Sequence, residues 1–200
     1  MIKCFIVVNN TGVPRLTKFY EHCVRFCLAF SSHSFHNYLL TTQRNATQRN
    51  ATQPLANNYD ISTNMQTPER QQELVRNVFE ALHSRADGLC NFVEDAKRFG
   101  KGVKLIYRHF ATLYFAALVD ENESELGILD LIHVFVETLD SCFENVCELD
   151  LVFNSGKAYA VLDEIIMAGA VIETSSQAVL RRVDEIARAE RFGVGIAHAK

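Results

Sequence analysis

The sequence predicts an α+β fold built on one antiparallel or mixed sheet. Three observations point there. β-branched and alternating apolar runs occupy the opening and the middle of the chain. Turn signals separate neighbouring runs. Helical periodicity dominates from residue 123 onward. The resulting order is β-β-α-β-β-β-α-α-α, and strands and helices are segregated along it.

Each element has a local reason. "KCFIVV" (Lys3 to Val8) reads as a buried strand beginning at residue 2, closed by the turn signal Asn9-Asn10-Thr11-Gly12. "PRLTKFY" (Pro14 to Tyr20) supplies the second strand of a hairpin. Composition then shifts. Residues 21–66 are rich in Ser, Thr, Asn, Gln and His and hold a direct repeat, "TQRNATQRNATQ", whose five-residue period matches neither helix nor strand. Too little there is apolar to offset ordering entropy, so a disordered loop is expected, apart from the vicinity of Cys23 to Phe30. Order resumes at Thr67-Pro68-Glu69, a helix cap, first-turn proline and acid. Leu74, Val75, Val78, Phe79 and Leu82 mark one helical face, with Gly88 as a stop. "LCNFVED" (Leu89 to Asp95), the turn "FGKG", "VKLIYRHF" and "ATLYFAALVD" read as a three-stranded meander.

"ESELGILDLIHVFVETLDSCF" (Glu123 to Phe143) is a long helix, apolar on nearly every side. Such a helix is expected to be covered by its own sheet and by something further, which hints at a permanent partner. Two more helices follow "NVCELDLVFN". One spans about 156–168, with Gly169 as its stop, and the other about 176–191, capped by Ser175. The domain is expected over 1–20 and 67–192, with 21–66 an insertion and 193–200 a tail without a readable pattern.

Composition excludes some functions. Of 200 residues 48% are hydrophobic and 22% charged, as in a globular core, and the net charge of −4 provides no global basic field for nucleic acid. The six cysteines are scattered, and "MIKCFIVVNN" has too short an apolar run for a signal peptide. A reducing, cytoplasmic compartment with free thiols is expected. No apolar stretch approaches the ~20 residues that span a bilayer, so membrane contact is expected to be peripheral.

Several clusters invite a chemical reading. In "NVCELDL" Cys147 sits beside Glu148 and Asp150, and His133 and His109 are the nearest bases in sequence. Flanking carboxylates raise a thiol pKa, though, and a cysteine among apolar neighbours serves as a small core residue. Cys142 reads the same way. His22, Cys23, Cys27, His33 and His36 have a spacing that fits no usual zinc finger. The sequons at Asn45 and Asn50 would never meet the glycosylation machinery without a secretory signal. "FGKG" lacks the rest of a phosphate loop. Arg181, Arg182, Arg188 and Arg191 interleave with Asp184, Glu185 and Glu190 as a solvated helix face. Arg15 and Lys18 read as edge-strand charges. No catalytic residue, metal or cofactor is expected.

A family resemblance reorders these readings. "NESELGILDLIHVFVETLDSCFENVCELDLVFN" (Asn122 to Asn154) closely resembles the sigma, or small, subunits of heterotetrameric clathrin-adaptor-type complexes. "MIKCFIVVNNTGVPRLTKFY", "KLIYRHFATLYFAALVD" and "AVLDEIIMAGAVIETSS" fit the same pattern, over residues 1–20 and about 67–190. "SELGILDLIHVFVETLD" with "CFENVCELDL" is most similar to the version in adaptor protein complex 3; complexes 1 and 2 are the alternatives. The resemblance implies a longin-like fold, a five-stranded sheet flanked by helices. It implies a non-enzymatic subunit that joins two large adaptins and one medium subunit. It also implies peripheral membrane contact at Golgi or endosomes with an Arf-family GTPase, and transport toward lysosome- or vacuole-type organelles.

It further implies a groove for acidic-x-x-x-Leu-Leu/Ile sorting signals. The wall falls on Ala111, Leu113, Val136, Val146 and Leu151, with Asn145 on the rim and Arg15 attracting the signal's acid. Cys147 and its neighbouring acids would then be scaffold. Two buried leucines would contribute ~1.5–3 kcal/mol each. Ordering a flexible tail offsets much of that, leaving roughly micromolar binding that avidity can reinforce.

Sigma subunits run almost directly from "KFY" into "QQELVR". Residues 21–66 are therefore expected to be a lineage-specific insertion or retained intron sequence. The repeat favours the second, and a tryptic map or a transcript lacking the segment would decide. Emerging just after Arg15, the loop would be placed to shield the groove. Two rival readings carry distinct signatures. A longin-type regulator of membrane fusion would need a heptad segment and an anchor after the domain. A thiol enzyme would react rapidly with iodoacetamide at neutral pH.

Overall fold

The computed structural model describes residues 1–20, 67–85 and 89–197; the side chains of Glu190 and of residues 192–197 are not among those described. The reading of 21–66 as a loop, the zinc-like cluster and both sequons lie outside the described residues.

The described residues form a five-stranded antiparallel sheet in the order β2-β1-β5-β4-β3. Its strands are β1 (Ile2–Asn9), β2 (Pro14–Phe19), β3 (Phe92–Val93), β4 (Val103–Phe110) and β5 (Leu113–Asp120). The α+β, longin-like architecture expected from the sequence is what forms. Alternation along the central strands sorts side chains to two faces. Phe5, Val7, Ile106, Phe115, Ala117 and Val119 enter one apolar layer. Cys4, Ile6, Val8, Leu105, Tyr107, Ala116 and Leu118 enter the other.

The second layer is closed by α1 (Pro68–His83), which presents Leu74, Val75, Val78, Ala81 and Leu82 to it. Thr67 is the capping residue as expected, but its side chain makes no capping bond. The helix ends at His83, ahead of the glycine proposed as its stop, because the Ser84 N–H already turns back onto the Glu80 and Leu82 carbonyls. The strand expected over 89–95 is reduced to Phe92–Val93. The reason is local: the Asp95 carboxylate accepts from the N–H groups of Lys97 and Arg98 and starts a one-turn helix, α2 (Ala96–Phe99).

The first layer is thicker. It is covered by α3 (Glu125–Phe143) and, outside that, by α5 (Ser155–Ile165) and α6 (Ser176–Ala197). Ser124 caps α3 by accepting from the Gly127 N–H at 3.3 Å. Phe135 packs edge-on to Phe5 and Phe115, with ring centroids 5.2 and 6.2 Å away. Thr138, fully buried, returns its hydroxyl to the Val134 carbonyl at 2.7 Å and so carries no unmet donor. The second cover that the apolar character of α3 demands is thus in large part internal, supplied by α5 and α6. Leu126 is the exception, 72% exposed.

Two further elements were not expected. A short helix, α4 (Glu148–Phe153), forms where the sequence reads as a connection. A small hairpin of β6 (Ile166–Met167) and β7 (Ala170–Val171) follows α5, which therefore ends at Ile165 rather than near residue 168. Gly169, read as a helix stop, is the turn of that hairpin. Its φ is +80°, the Ile2 N–H donates to its carbonyl at 2.9 Å, and a Cβ there would run into the Ile2 carbonyl oxygen. The last helix continues to Ala197, past the boundary at 191–192, so most of the supposed tail is helical backbone. Along α6, Arg181, Arg182, Asp184, Glu185 and Arg188 are exposed, as a solvated face requires.

α5 is fastened to the edge of the sheet by Tyr159. Its hydroxyl accepts from the Thr17 N–H and donates to the Thr17 carbonyl, each at 3.1 Å. Lys18 pairs with Asp163 at 2.9 Å on the same helix.

Candidate functional site

Three turns meet at one end of the sheet. The first joins β1 to β2. Asn9 organises it: the side-chain oxygen accepts from the Thr11 N–H, the Thr11 hydroxyl and the Val13 N–H at 3.1, 2.8 and 2.9 Å. This is an Asx-type turn, for which "NNTG" was the sequence signal. Gly12 lies at φ +82°, and a Cβ there would press into the Phe79 ring at 2.8 Å.

The second turn is the two-residue link Ala111-Thr112 between β4 and β5, with Ala111 in the left-handed region at φ 51°. It abuts the first turn, since the Asn10 N–H donates to the Thr112 carbonyl at 3.1 Å. The third turn reverses the chain after α3. Glu144 and Asn145 both have positive φ, 53° and 80°. Asp140 stabilises the reversal, its carboxylate accepting from the Val146 N–H at 3.0 Å.

α4 starts from this third turn. The Asp150 carboxylate accepts from the Cys147 N–H at 2.9 Å, the reach-back half of a capping box. That bond, with a further one from the Cys147 side chain, holds the Asp150 carboxyl below its usual range. Cys147 therefore opens a helix. The other candidates for thiol chemistry are placed elsewhere. Burial pushes the Cys142 thiol up. His109 stacks on Tyr114 with centroids 4.1 Å apart and meets Asn10 at 3.3 Å. His133 is exposed and faces Glu137 at 3.9 Å. Among the described residues no group of three or more His, Cys, Asp or Glu could hold a metal ion.

Glu148, the first residue of α4, ties the three turns together. Its Oε1 accepts from Arg15 Nε at 2.8 Å, from Arg15 Nη2 at 2.7 Å and from Asn9 Nδ2 at 3.0 Å. Its Oε2 accepts from the Thr112 hydroxyl at 3.3 Å. The bonds from Arg15 and Asn9 hold this carboxyl below the usual carboxylate range, so it is ionised at neutral pH. The pair is half-buried, with side-chain exposures of 25% and 26%. Arg15 is thus not a bare edge charge.

Of the seven residues expected at a binding groove, six lie on or next to the three turns and α4, and Val136 lies within α3. Leu113 and Leu151 are buried members of the first apolar layer, 7% and 1% exposed. Val136 and Val146 pack against that layer while remaining partly exposed. Ala111 and Asn145 are exposed, each at a left-handed turn. Arg15 reaches α4 through Glu148. Sequence reasoning missed Glu148 as the partner of Arg15, and Asn9 and Thr112 as the other donors to Glu148. Only Asn9 had a visible signal, because a contact between residues 15 and 148 has no sequence signature. The junction can present a guanidinium beside a partly exposed apolar wall, a combination suited to an extended peptide with an acid and apolar residues.

Comparison with known proteins adds an independent line. The family model described as the clathrin adaptor complex small chain matches residues 37–190. The match omits β1 and β2, which the fold nonetheless places within the sheet. The AP-3 complex subunit sigma of Arabidopsis thaliana is 42% identical over 190 residues, covering 95% of this chain and 89% of the relative. The AP-3 complex subunit sigma-2 of Homo sapiens is 40% identical over 200 residues, covering 100% of this chain and 81% of the relative. A chain in a homology model of the full-length AP-3 complex in a stretched open conformation superposes with a TM-score of 0.57 at 30% identity, covering 98% of both chains.

Proposed function

The chain belongs to the clathrin adaptor complex small chain family, and on that premise we propose that it is the sigma subunit of an AP-3-type adaptor complex that reads acidic dileucine signals in cargo tails. In this reading it is a non-catalytic subunit of a vesicle coat. It assembles with two large adaptins and one medium subunit, and reaches the membrane through the complex with the help of an Arf-family GTPase. It serves protein transport from Golgi or endosomal membranes toward lysosome- or vacuole-type organelles. No helix among the described residues is long and apolar enough to cross a membrane, so membrane contact through partners fits.

The observation that carries the cargo reading is the junction itself. Arg15 is ion-paired with Glu148, the first residue of the helix that carries Leu151, and Val136 and Val146 stand partly exposed against the same apolar layer as Leu151. A signal leucine reaching Leu151 needs some opening of this layer, because that side chain is buried here. Residues 21–66 enter the reading as an insertion that the domain does not need.

The test has two stages. Affinity purification of the tagged chain from its own cells should bring down two large subunits and one medium subunit in near-equal amounts. The complex should then bind a peptide bearing an acid and a leucine pair with roughly micromolar Kd. Val146→Asp should weaken that binding at least tenfold, since it puts an unpaired carboxylate against a leucine. Recovery of the bait alone would sink the assembly reading, and an intact complex deaf to the peptide would sink the cargo reading.

A further inference from the structure

We propose that Glu148 is an internal competitor for the sorting signal: it occupies the edge of Arg15 that the signal's acid would use, and so sets how strongly the acid is read. The inference rests on the cargo reading above. A carboxylate grips a guanidinium best along one edge, through two adjacent N–H groups. In this chain the Nε and Nη2 edge is already committed, both atoms lying within 2.8 Å of the same Glu148 oxygen. An incoming carboxylate that takes this edge must displace Glu148.

The geometry makes the exchange easy. Glu148 does not depend on Arg15 alone, since Asn9 donates to Oε1 and Thr112 to Oε2. A carboxylate that keeps two donors after losing a third is not left bare, so displacement avoids the cost of an orphaned charge. The pair is also open enough for water and a peptide to reach it, at about a quarter exposure on each side. The same six-residue helix carries Leu151 into the apolar layer, and the bonds that Glu148 keeps to Asn9 and Thr112 hold that helix in place while Arg15 changes partner.

Removing the competitor should therefore raise the preference for an acid without changing the response to the leucine pair. The assay uses the assembled four-subunit complex and two fluorescent peptides, one with an acidic residue four positions before its leucine pair and a twin with Gln there. The readout is the ratio of the two Kd values at low salt, from which any loss of active protein cancels. Glu148→Gln is expected to raise the preference for the acidic peptide about three- to fivefold, the scale of one partly exposed ion pair. Glu148→Gln in an Arg15→Gln background is expected to leave the ratio near one. Binding of both peptides with a ratio unchanged or lowered by Glu148→Gln overturns the inference alone. A rise that persists without Arg15 also overturns it, because general charge removal then accounts for the effect. Binding of neither peptide to any version overturns the cargo reading and takes this inference with it.

Discussion

α3 and α4 are successive helices held in opposite ways. α3 runs for 19 residues between the sheet on one side and α5 and α6 on the other, and its anchors are apolar: Ile128, Leu131, Ile132, Phe135 and Leu139. α4 runs for six residues, sends one side chain, Leu151, into the core, and is otherwise tied down by a carboxylate at its first position. Three of its side chains, Leu149, Val152 and Phe153, stay exposed. Apolar burial cannot be undone piecemeal, whereas polar bonds can be exchanged for others. Rigidity therefore resides in α3, and adjustability in α4.

The largest effect should come from breaking α3. Phe135→Ala removes the ring that meets both Phe5 and Phe115, and should cost about 3–5 kcal/mol, enough to abolish recovery of folded chain and of its co-purifying subunits. If Phe135→Ala assembled normally, the claim that α3 is the rigid element would fail. Next comes the single apolar anchor of α4. Leu151→Ala should cost about 2–4 kcal/mol by urea titration while leaving the sheet and α3 intact by hydrogen exchange. Protection lost throughout the sheet would mean that α4 is part of the cooperative core.

The polar anchor should matter less for stability, and with a definite pH signature. The Glu148 carboxyl titrates below its unfolded value, so its contribution is complete above about pH 4.3 and is lost as pH falls through the lower folded value. Glu148→Gln should lower the thermal midpoint by about 1–3 °C at pH 7, and the gap should close on acidification below that point. A gap that closed already between pH 7 and pH 6 would mean that another group is titrating. The smallest effect is expected from replacing residues 21–66 with a Gly-Ser linker. Too little of that stretch is apolar to offset its ordering entropy, so partner recovery and the acid preference should be unchanged. A changed preference would show that the insertion does reach the groove.

The same contrast governs what could be read from sequence. α3 was legible to within two residues of its start because its apolar periodicity is long, and the order of the five strands' appearance followed from alternation at Phe5 and Val7 or Phe115 and Ala117. α4 was missed because six residues with one inward side chain carry no periodicity. The β6–β7 hairpin was missed because Gly169 reads equally well as a helix stop and as a turn, and only the closeness of Ile2 decides between them. At the candidate site Arg15 was legible only through family resemblance. Its partner Glu148 was set aside as scaffold, since the pairing joins residues far apart along the chain and exists only once the sheet has brought three turns together.

The hydroxyl of Tyr159 has a consequence beyond fastening α5. Among the described residues β2 is an edge strand, and an edge strand with open N–H and C=O groups is a template onto which other chains can add. Thr17 lies midway along β2, and both of its outward backbone groups are taken by this one hydroxyl. Strand addition from a neighbouring molecule along the whole of this edge would have to break both of those hydrogen bonds. With its middle already bonded, the edge of β2 is a poor template for polymerisation through the sheet.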